Sequence, residues 1–283
     1  MNDQIKILIT GADGYIGSFL AFELGNLKNI QVIKTSKKEN IPDGFFRLDI
    51  RCEKEVYDVV EKTAPDIIVH TAALSNIEAC EQNPTEAYRT NTLGTYNISK
   101  VANLFDIKVV YLSSLASKNS KLVYGRSKHD GEKYIRGIVA GSQIVYLSMV
   151  FGLTPNTHAH RPFNKILNAF ITNTPIHQDN SWSFQPTYTN HLLEILIDLI
   201  NFGFKDKDII VTTVEHCTMY QITCDLIGKS LTCRKDRYSD RDFINNDMVD
   251  HKKMNLPTLE YKVMIQALKD EIYRHVESID FNE

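Results

Sequence analysis

Apolar residues follow two rhythms along this chain. Short apolar runs bounded by Gly, Pro and polar residues alternate with stretches whose apolar positions recur every three or four residues. The runs Lys6–Thr10, Ile30–Thr35, Phe45–Leu48, Asp66–His70, Lys108–Ser113 and Gln143–Val150 predict strands. Between them, Gly14–Leu27, Glu53–Thr63, Thr85–Phe105 and Tyr124–Val139 predict helices, with Pro84 well placed near the start of the third. Strands that alternate with helices imply a parallel sheet covered on both faces, a doubly wound α/β fold.

The pattern changes after Gly152. Residues 153–183 carry Pro155, Pro162 and Pro175 and read as loops around one helix, Phe163–Ile171. His191–Phe202 predicts an apolar helix, Asp208–Thr212 a strand and Leu259–Val276 an amphipathic helix. The expected division is a first domain over 1–152 and a smaller, mostly helical lobe over 153–283. Residues 186–212 are expected to return to the first domain.

Chemistry enters at the first turn. Thr10-Gly11-Ala12-Asp13-Gly14-Tyr15-Ile16-Gly17 follows an apolar strand and opens a helix. Gly11 suits a tight turn, Gly14 a close approach of backbone to a pyrophosphate, and Gly17 close packing of helix on sheet. The amides of Asp13, Tyr15 and Ile16 would face the phosphates. This points to a dinucleotide in a Rossmann domain.

Composition narrows the partners. The chain has 283 residues, 43% hydrophobic and 24% charged, with a formal net charge of −3. That balance offers no electrostatic case for nucleic acid or an anionic membrane surface. No apolar run approaches a membrane span. Met1–Gln4 leads straight into a strand, so no signal peptide and a cytoplasmic location are expected. Cys52, Cys80, Cys217, Cys224 and Cys233 form no close pair, which fits reduced thiols. Cys217, Cys224 and Cys233 are poorly spaced for zinc, and His158 and His160 lack a nearby acidic or Cys partner in sequence, so no metal site is expected.

The second motif is Tyr124-Gly125-Arg126-Ser127-Lys128. Tyr and Lys four apart on a helix share one face. The ammonium is expected to lower the phenol toward the working range for proton transfer. Ser113 and Ser114 close the preceding strand.

These pieces occur in order with Leu48-Asp49-Ile50, the run Pro65–Ala73, Asn91–Asn97, Gly131-Glu132, Met149–Gly152 and Gln185–Tyr188. Together they resemble an extended short-chain dehydrogenase/reductase acting on nucleotide sugars. Within that superfamily the chain is most similar to the dTDP-4-dehydrorhamnose reductase group. The resemblance implies that Tyr124 donates a proton to the carbonyl oxygen. Lys128 would bond the nicotinamide ribose and tune Tyr124. Ser114 would polarise the carbonyl, with Ser113 as the alternative. Asp49 and Ile50 would border the adenine, Ala72 and Ala73 would pass beneath the cofactor, and Asn91 would brace backbone near the active-site strands. A homodimer is also implied.

The end of the second strand bears on the cofactor. An acid there would mark NAD. Here stand Thr35, Ser36, Lys37 and Lys38, two cations and hydroxyls suited to a 2′-phosphate. NADP is expected over NAD, with Glu39 next door keeping NAD in play. For the substrate, Ser75, Asn76, Glu78, Arg161, Asn164 and Gln185 are the expected wall residues, Arg161 facing a diphosphate. Trp182 and Phe184 are expected at the rim or in the core.

The chain departs from the reductase pattern in two places. Ser114 and Tyr124 are only ten apart, so the loop between them is shorter by about a dozen residues than the group's. Met149 stands where the reductases usually place Trp. Leu115-Ala116 supplies no acid pair, which argues against sugar dehydration. The expected activity is NADPH-dependent reduction of a nucleotide-linked 4-keto-6-deoxysugar. The alternatives are an NAD-dependent nucleotide-sugar epimerase and a catalytically silent dinucleotide-binding regulatory subunit.

Overall fold

The computed structural model describes residues 4–119, 121–156, 161–228 and 258–280. Its centre is a seven-stranded sheet built from β1 (Ile5–Thr10), β2 (Ile30–Ser36), β3 (Phe45–Arg47), β4 (Ile67–His70), β5 (Lys108–Ser114), β6 (Gln143–Leu147) and, after three short strands, β10 (Ile209–Val211). The spatial order is β10-β6-β5-β4-β1-β2-β3, with every pair parallel. Strand order reverses between β1 and β4, and such a switch point opens a crevice beyond the strand ends.

Strand alternation splits the core in two. Ile7, Ile9, Val69 and Leu112 pack against α1 (Tyr15–Gly25) and α9 (Thr189–Phe202). Leu8, Ile68, Val109 and Tyr111 pack on the other face, against α2 (Glu53–Thr63), α5 (Gly94–Leu104) and α7 (Val123–Ile138). Asp66 ties the starts of β4 and β1 together, its Oδ2 accepting from the Lys6 amide at 2.7 Å.

A third apolar cluster lies apart from the two that cover the sheet. It joins Phe151 of β7 (Val150–Phe151), Phe163 of α8 (Pro162–Ile171), Phe184 of β8 (Ser183–Phe184), Ile222 of α10 (Met219–Ile227) and Leu268 of α11 (Tyr261–Asp280). β11 (Cys217–Thr218) pairs with β8, and β7 pairs with β9 (Thr187–Tyr188). No helix among the described residues is long and apolar enough to cross a membrane.

Three local differences from the sequence expectation bear on the site. The single helix expected over Thr85–Phe105 begins at α4 (Pro84–Tyr88), where Asn83 accepts from the Glu86 amide, and widens into a π-helical turn over Arg89–Leu93 before α5. Side-chain contacts hold that turn open. Asn91 Oδ1 accepts from the Leu74 amide at 2.8 Å, its Nδ2 donates to the Leu74 carbonyl at 3.0 Å, and the Thr92 hydroxyl donates to the Ser127 carbonyl at 2.8 Å. Asn91 thus braces the segment after β4.

The strand expected over Gln143–Val150 leaves the sheet at Leu147. Thr187 captures it, accepting from the Ser148 amide through Oγ1 and donating its own amide to Met149. Two short helices, α3 (Ile77–Gln82) and α6 (Ala116–Asn119), occupy segments that carried no helix expectation.

Candidate active site

The glycine turn is set by sterics. Gly11 has φ +65°, a conformation that disfavours a side chain. A Cβ on Gly17 would lie 2.2 Å from the Gly11 carbonyl oxygen. α1 therefore starts hard against the turn, and Gly14 at its N-cap makes no side-chain cap. No acidic side chain stands in that first turn either.

A buried polar chain holds the neighbouring strand ends together. Thr10 Oγ1 accepts from the amides of Thr71 and Ala72, both at 3.1 Å. Its own hydrogen is left for His70 Nδ1, 2.8 Å away. His70 Nε2 then donates to Thr95 Oγ1 at 3.1 Å, and Thr95 donates to the Asn91 carbonyl at 2.7 Å. Burial, with Lys128 nearby, pushes the His70 imidazole down to about 3, so it stays neutral. This chain escaped the sequence reading; its signal was polar residues at the ends of two apolar strands.

Beyond the strand ends lies a cleft of about 1130 Å³. The turn residues Gly11, Asp13, Gly14, Tyr15, Ile16 and Gly17 line one end, with Lys37, Lys38, Asp49 and Ile50. Ala72 and Ala73, which follow β4, line it too, as do Ser113, Ser114, Tyr124 and Lys128. Ser75, Asn76, Glu78, Arg161 and Gln185 reach it from the other side.

Two expected residues do not reach the cleft. Ser36 is fully buried in β2, its Oγ accepting from the Lys38 amide at 3.2 Å, because the strand runs one residue further than the sequence suggested. Thr35 is equally buried and donates to the Ile9 carbonyl. Asn164 sits on α8 with its Nδ2 directed to the Asn156 carbonyl at 3.4 Å instead. His158, His160 and Cys233 lie outside the described residues.

The central groups are unequal. Ser113 is 4% exposed and its hydroxyl donates to Glu132 at 2.5 Å. Ser114 instead accepts from the Ala116 amide at 3.2 Å and shares a hydrogen bond with the Tyr124 phenol. Burial pushes that phenol above its usual value, against the opposing effects of Ser114 and the Arg161 charge. The expectation that Lys128 lowers Tyr124 is not met. Its ammonium turns to the Leu112 carbonyl at 2.8 Å and lies 4.0 Å from the centre of the Tyr111 ring. Desolvation brings Lys128 itself down to about 7, against the pull of Glu132.

The flanks add what spacing could not reveal. Arg161 donates to Ser75 Oγ at 2.7 Å and lies 6.0 Å from the Tyr15 ring centre, bridging lobe and sheet. The Tyr15 hydroxyl is held by the Gly152 carbonyl at 2.6 Å. Arg51 also lines the cleft, ion-paired with Asp49 and Glu86. Its hydrogen bonds hold the Asp49 carboxyl below the usual range. Lys38 pairs with Asp13 at 3.1 Å. At the lobe end Trp182 stacks on Phe184 with ring centres 4.7 Å apart.

Comparison with known proteins extends this geometry. The family model described as "RmlD substrate binding domain" matches residues 5–226. The spore coat polysaccharide biosynthesis protein SpsK of Bacillus subtilis is 27% identical over 240 residues, covering 80% of this chain and 79% of that protein. GDP-6-deoxy-D-talose 4-dehydrogenase of Aggregatibacter actinomycetemcomitans is 25% identical over 304 residues, covering 96% and 98%. The crystal structure of dTDP-4-dehydrorhamnose reductase from Bacillus anthracis in complex with NADP superposes with a TM-score of 0.81 at 20% identity, covering 96% of this chain and 98% of that one. With its parallel sheet and glycine turn, the chain belongs to the RmlD substrate-binding-domain family of sugar-nucleotide enzymes, within the extended short-chain dehydrogenase/reductase superfamily.

Proposed function

We propose that this protein reduces the keto group of a nucleotide-linked 4-keto-6-deoxysugar with NADPH. The observation that carries the reading is that Ser114, hydrogen-bonded to Tyr124, lines together with Lys128 the same cleft that the glycine turn lines. Two proteins similar to this one, by their names, act at position 4 of a sugar nucleotide.

The residues present fit a dinucleotide. The uncapped start of α1 and the close Gly11–Gly17 contact suit an anionic pyrophosphate. Lys37, Lys38 and Arg51 supply cations at the adenosine end. A bound dihydronicotinamide supplies the hydride.

The chain's own groups do the rest. Tyr124 gives its proton to the sugar carbonyl oxygen. Ser114, beside it, donates to the same oxygen as charge develops there. Lys128 provides the ammonium for the cofactor ribose. Arg161 and Lys165 place positive charge on the substrate side, and the Trp182–Phe184 pair offers an apolar face. Ser113 is spent on Glu132, so Ser114→Ala is expected to cut kcat by about 10²- to 10³-fold. Ser113→Ala is expected to have a far smaller effect in the same steady-state assay.

Cofactor choice has its own test. The double variant Lys37→Glu, Lys38→Glu is expected to weaken NADPH binding by about tenfold or more, with little change for NADH. Cofactor fluorescence titration at low salt reads both. Equal losses for the two cofactors would remove the 2′-phosphate contact from this reading.

The decisive experiment is NADPH oxidation by pure protein over a panel of nucleotide 4-keto-6-deoxysugars. Turnover with one of them supports the reductase. NAD retained through purification, with interconversion of two sugar nucleotides, would replace it by a nucleotide-sugar epimerase. Firm NADPH binding with no turnover on any sugar would leave a binding role.

A further inference from the structure

Behind the catalytic groups lies a carboxylate that the proposed reaction does not use. Glu132 is on α7, one turn beyond Lys128 and only 4% exposed. Its Oε1 accepts from the hydroxyls of Ser113 and Ser117, each at 2.5 Å. Its Oε2 accepts from the Tyr146 hydroxyl at 2.8 Å. One side chain thereby joins β5, α6, β6 and α7.

This junction sits where the chain is shortest. Segment 115–123 spans the gap from Ser114 to Tyr124, with the single helical turn α6 inside it. The Ser117 hydroxyl lies between Glu132 and the Ser114 carbonyl, 2.7 Å from the latter. The Ala116 amide folds back onto Ser114 Oγ at 3.2 Å. Ser113 and Ser114 both meet α7, Ser113 at Glu132 and Ser114 at Tyr124. Holding Ser113 on Glu132 thus fixes the end of β5 from which Ser114 meets the phenol.

We propose that Glu132 is the positioning residue of this site: its buried carboxylate clamps the shortened 115–123 segment to β5, holds Ser114 toward Tyr124, and stands as counter-charge to Lys128. The identity of the catalytic groups rests on the reductase reading above. The clamp and the counter-charge are properties of the folded chain alone.

The electrostatic surroundings are few. Lys128 faces the Leu112 carbonyl and Tyr111 ring of β5, neutral His70 of β4, and Glu132 of its own helix. Glu132 faces Ser113, Ser117 and Tyr146, with His129 and Arg136 at 3.8 and 3.9 Å. Arg136 is itself committed to Asp208 at 2.7 Å, and Lys118 lies over the Tyr146 ring. Glu132 is thus the carboxylate that opposes the desolvation of Lys128.

The test uses Glu132→Gln, which keeps shape and removes charge. Lysine 13Cε NMR, with Lys128 assigned through Lys128→Arg, reads the Lys128 titration without any turnover. The midpoint is expected to fall by about one pH unit in E132Q. Ser117→Ala keeps the charge and is expected to leave the midpoint in place. Both variants are expected to speed amide exchange across 115–123 by about tenfold or more, and to lower kcat more than they raise KM for NADPH. An unmoved Lys128 midpoint in E132Q overturns the counter-charge. Unchanged exchange across 115–123 in both variants overturns the clamp. If E132Q does not fold, Glu132→Asp, which withdraws the carboxylate by one methylene, carries the exchange measurement beside S117A. A chain that reduces no sugar yet meets the midpoint and exchange expectations fails the reductase reading only.

Discussion

Replacing Tyr124 by Phe is expected to lower kcat by about 10²- to 10⁴-fold while leaving NADPH affinity nearly unchanged. The substitution removes one hydroxyl from a partly buried ring and leaves the aromatic packing in place. Burial holds the phenol protonated across the neutral range, so the group carries its proton before substrate arrives. Ser114, hydrogen-bonded to that phenol, loses its partner but keeps the Ala116 amide. Residual turnover within threefold of wild type would remove Tyr124 as the proton donor. A parallel loss of NADPH affinity would mean that the phenol serves binding instead.

Lys128→Met is expected to give the opposite pairing, a more stable protein with no turnover. The ammonium is 2% exposed and donates to the neutral Leu112 carbonyl. Desolvation lowers it from 10.5 to about 7. Folding therefore expels a proton between those values, and the unfolded chain binds more protons there. Stability must rise with pH across that window, and the cost of the buried ammonium is fully present below it. Met fills similar volume without charge, and the Glu132 carboxylate it leaves without a counter-charge keeps three hydroxyl donors, so the net gain is expected to be about 1 kcal/mol below pH ~7 and to vanish above pH ~10. Denaturant unfolding at several pH values measures it. A less stable variant at pH ~6 would show that the ammonium is better solvated than its burial indicates. The trade of stability for a charged group at the reaction centre is a common one.

The alternating parallel core was legible from local pattern. Ile7-Leu8-Ile9 sends neighbours to opposite faces of the sheet, and that follows from strand periodicity alone. The glycine turn was legible for a similar reason. Its spacing encodes a steric demand, and the Cβ that Gly17 lacks would strike Gly11, six residues away. Tyr124 and Lys128 were readable as residues of one helical face, and both line the cleft.

Contacts between distant segments were not readable. The π-turn at Arg89–Leu93 depends on Asn91 reaching Leu74 and on Thr92 reaching Ser127. Local helix propensity favours no such turn. Ser113 and Ser114 are chemically identical neighbours, and only the position of Glu132, 19 residues beyond Ser113, separates their fates. Lys128 was assigned to Tyr124 by spacing, yet its long side chain reaches a backbone carbonyl of β5 instead. Arg51 escaped notice because its partners, Asp49 and Glu86, flank different elements.

By itself, the sequence determined the strand and helix rhythm, the glycine turn and the helical face that carries Tyr124 and Lys128, because each depends on residues within a few positions of one another. Tertiary structure decided which serine faces the phenol, which cations surround the cleft and what charge Lys128 can hold. Those outcomes depend on burial and on partners tens of residues away, and neither distance nor desolvation is written in local spacing.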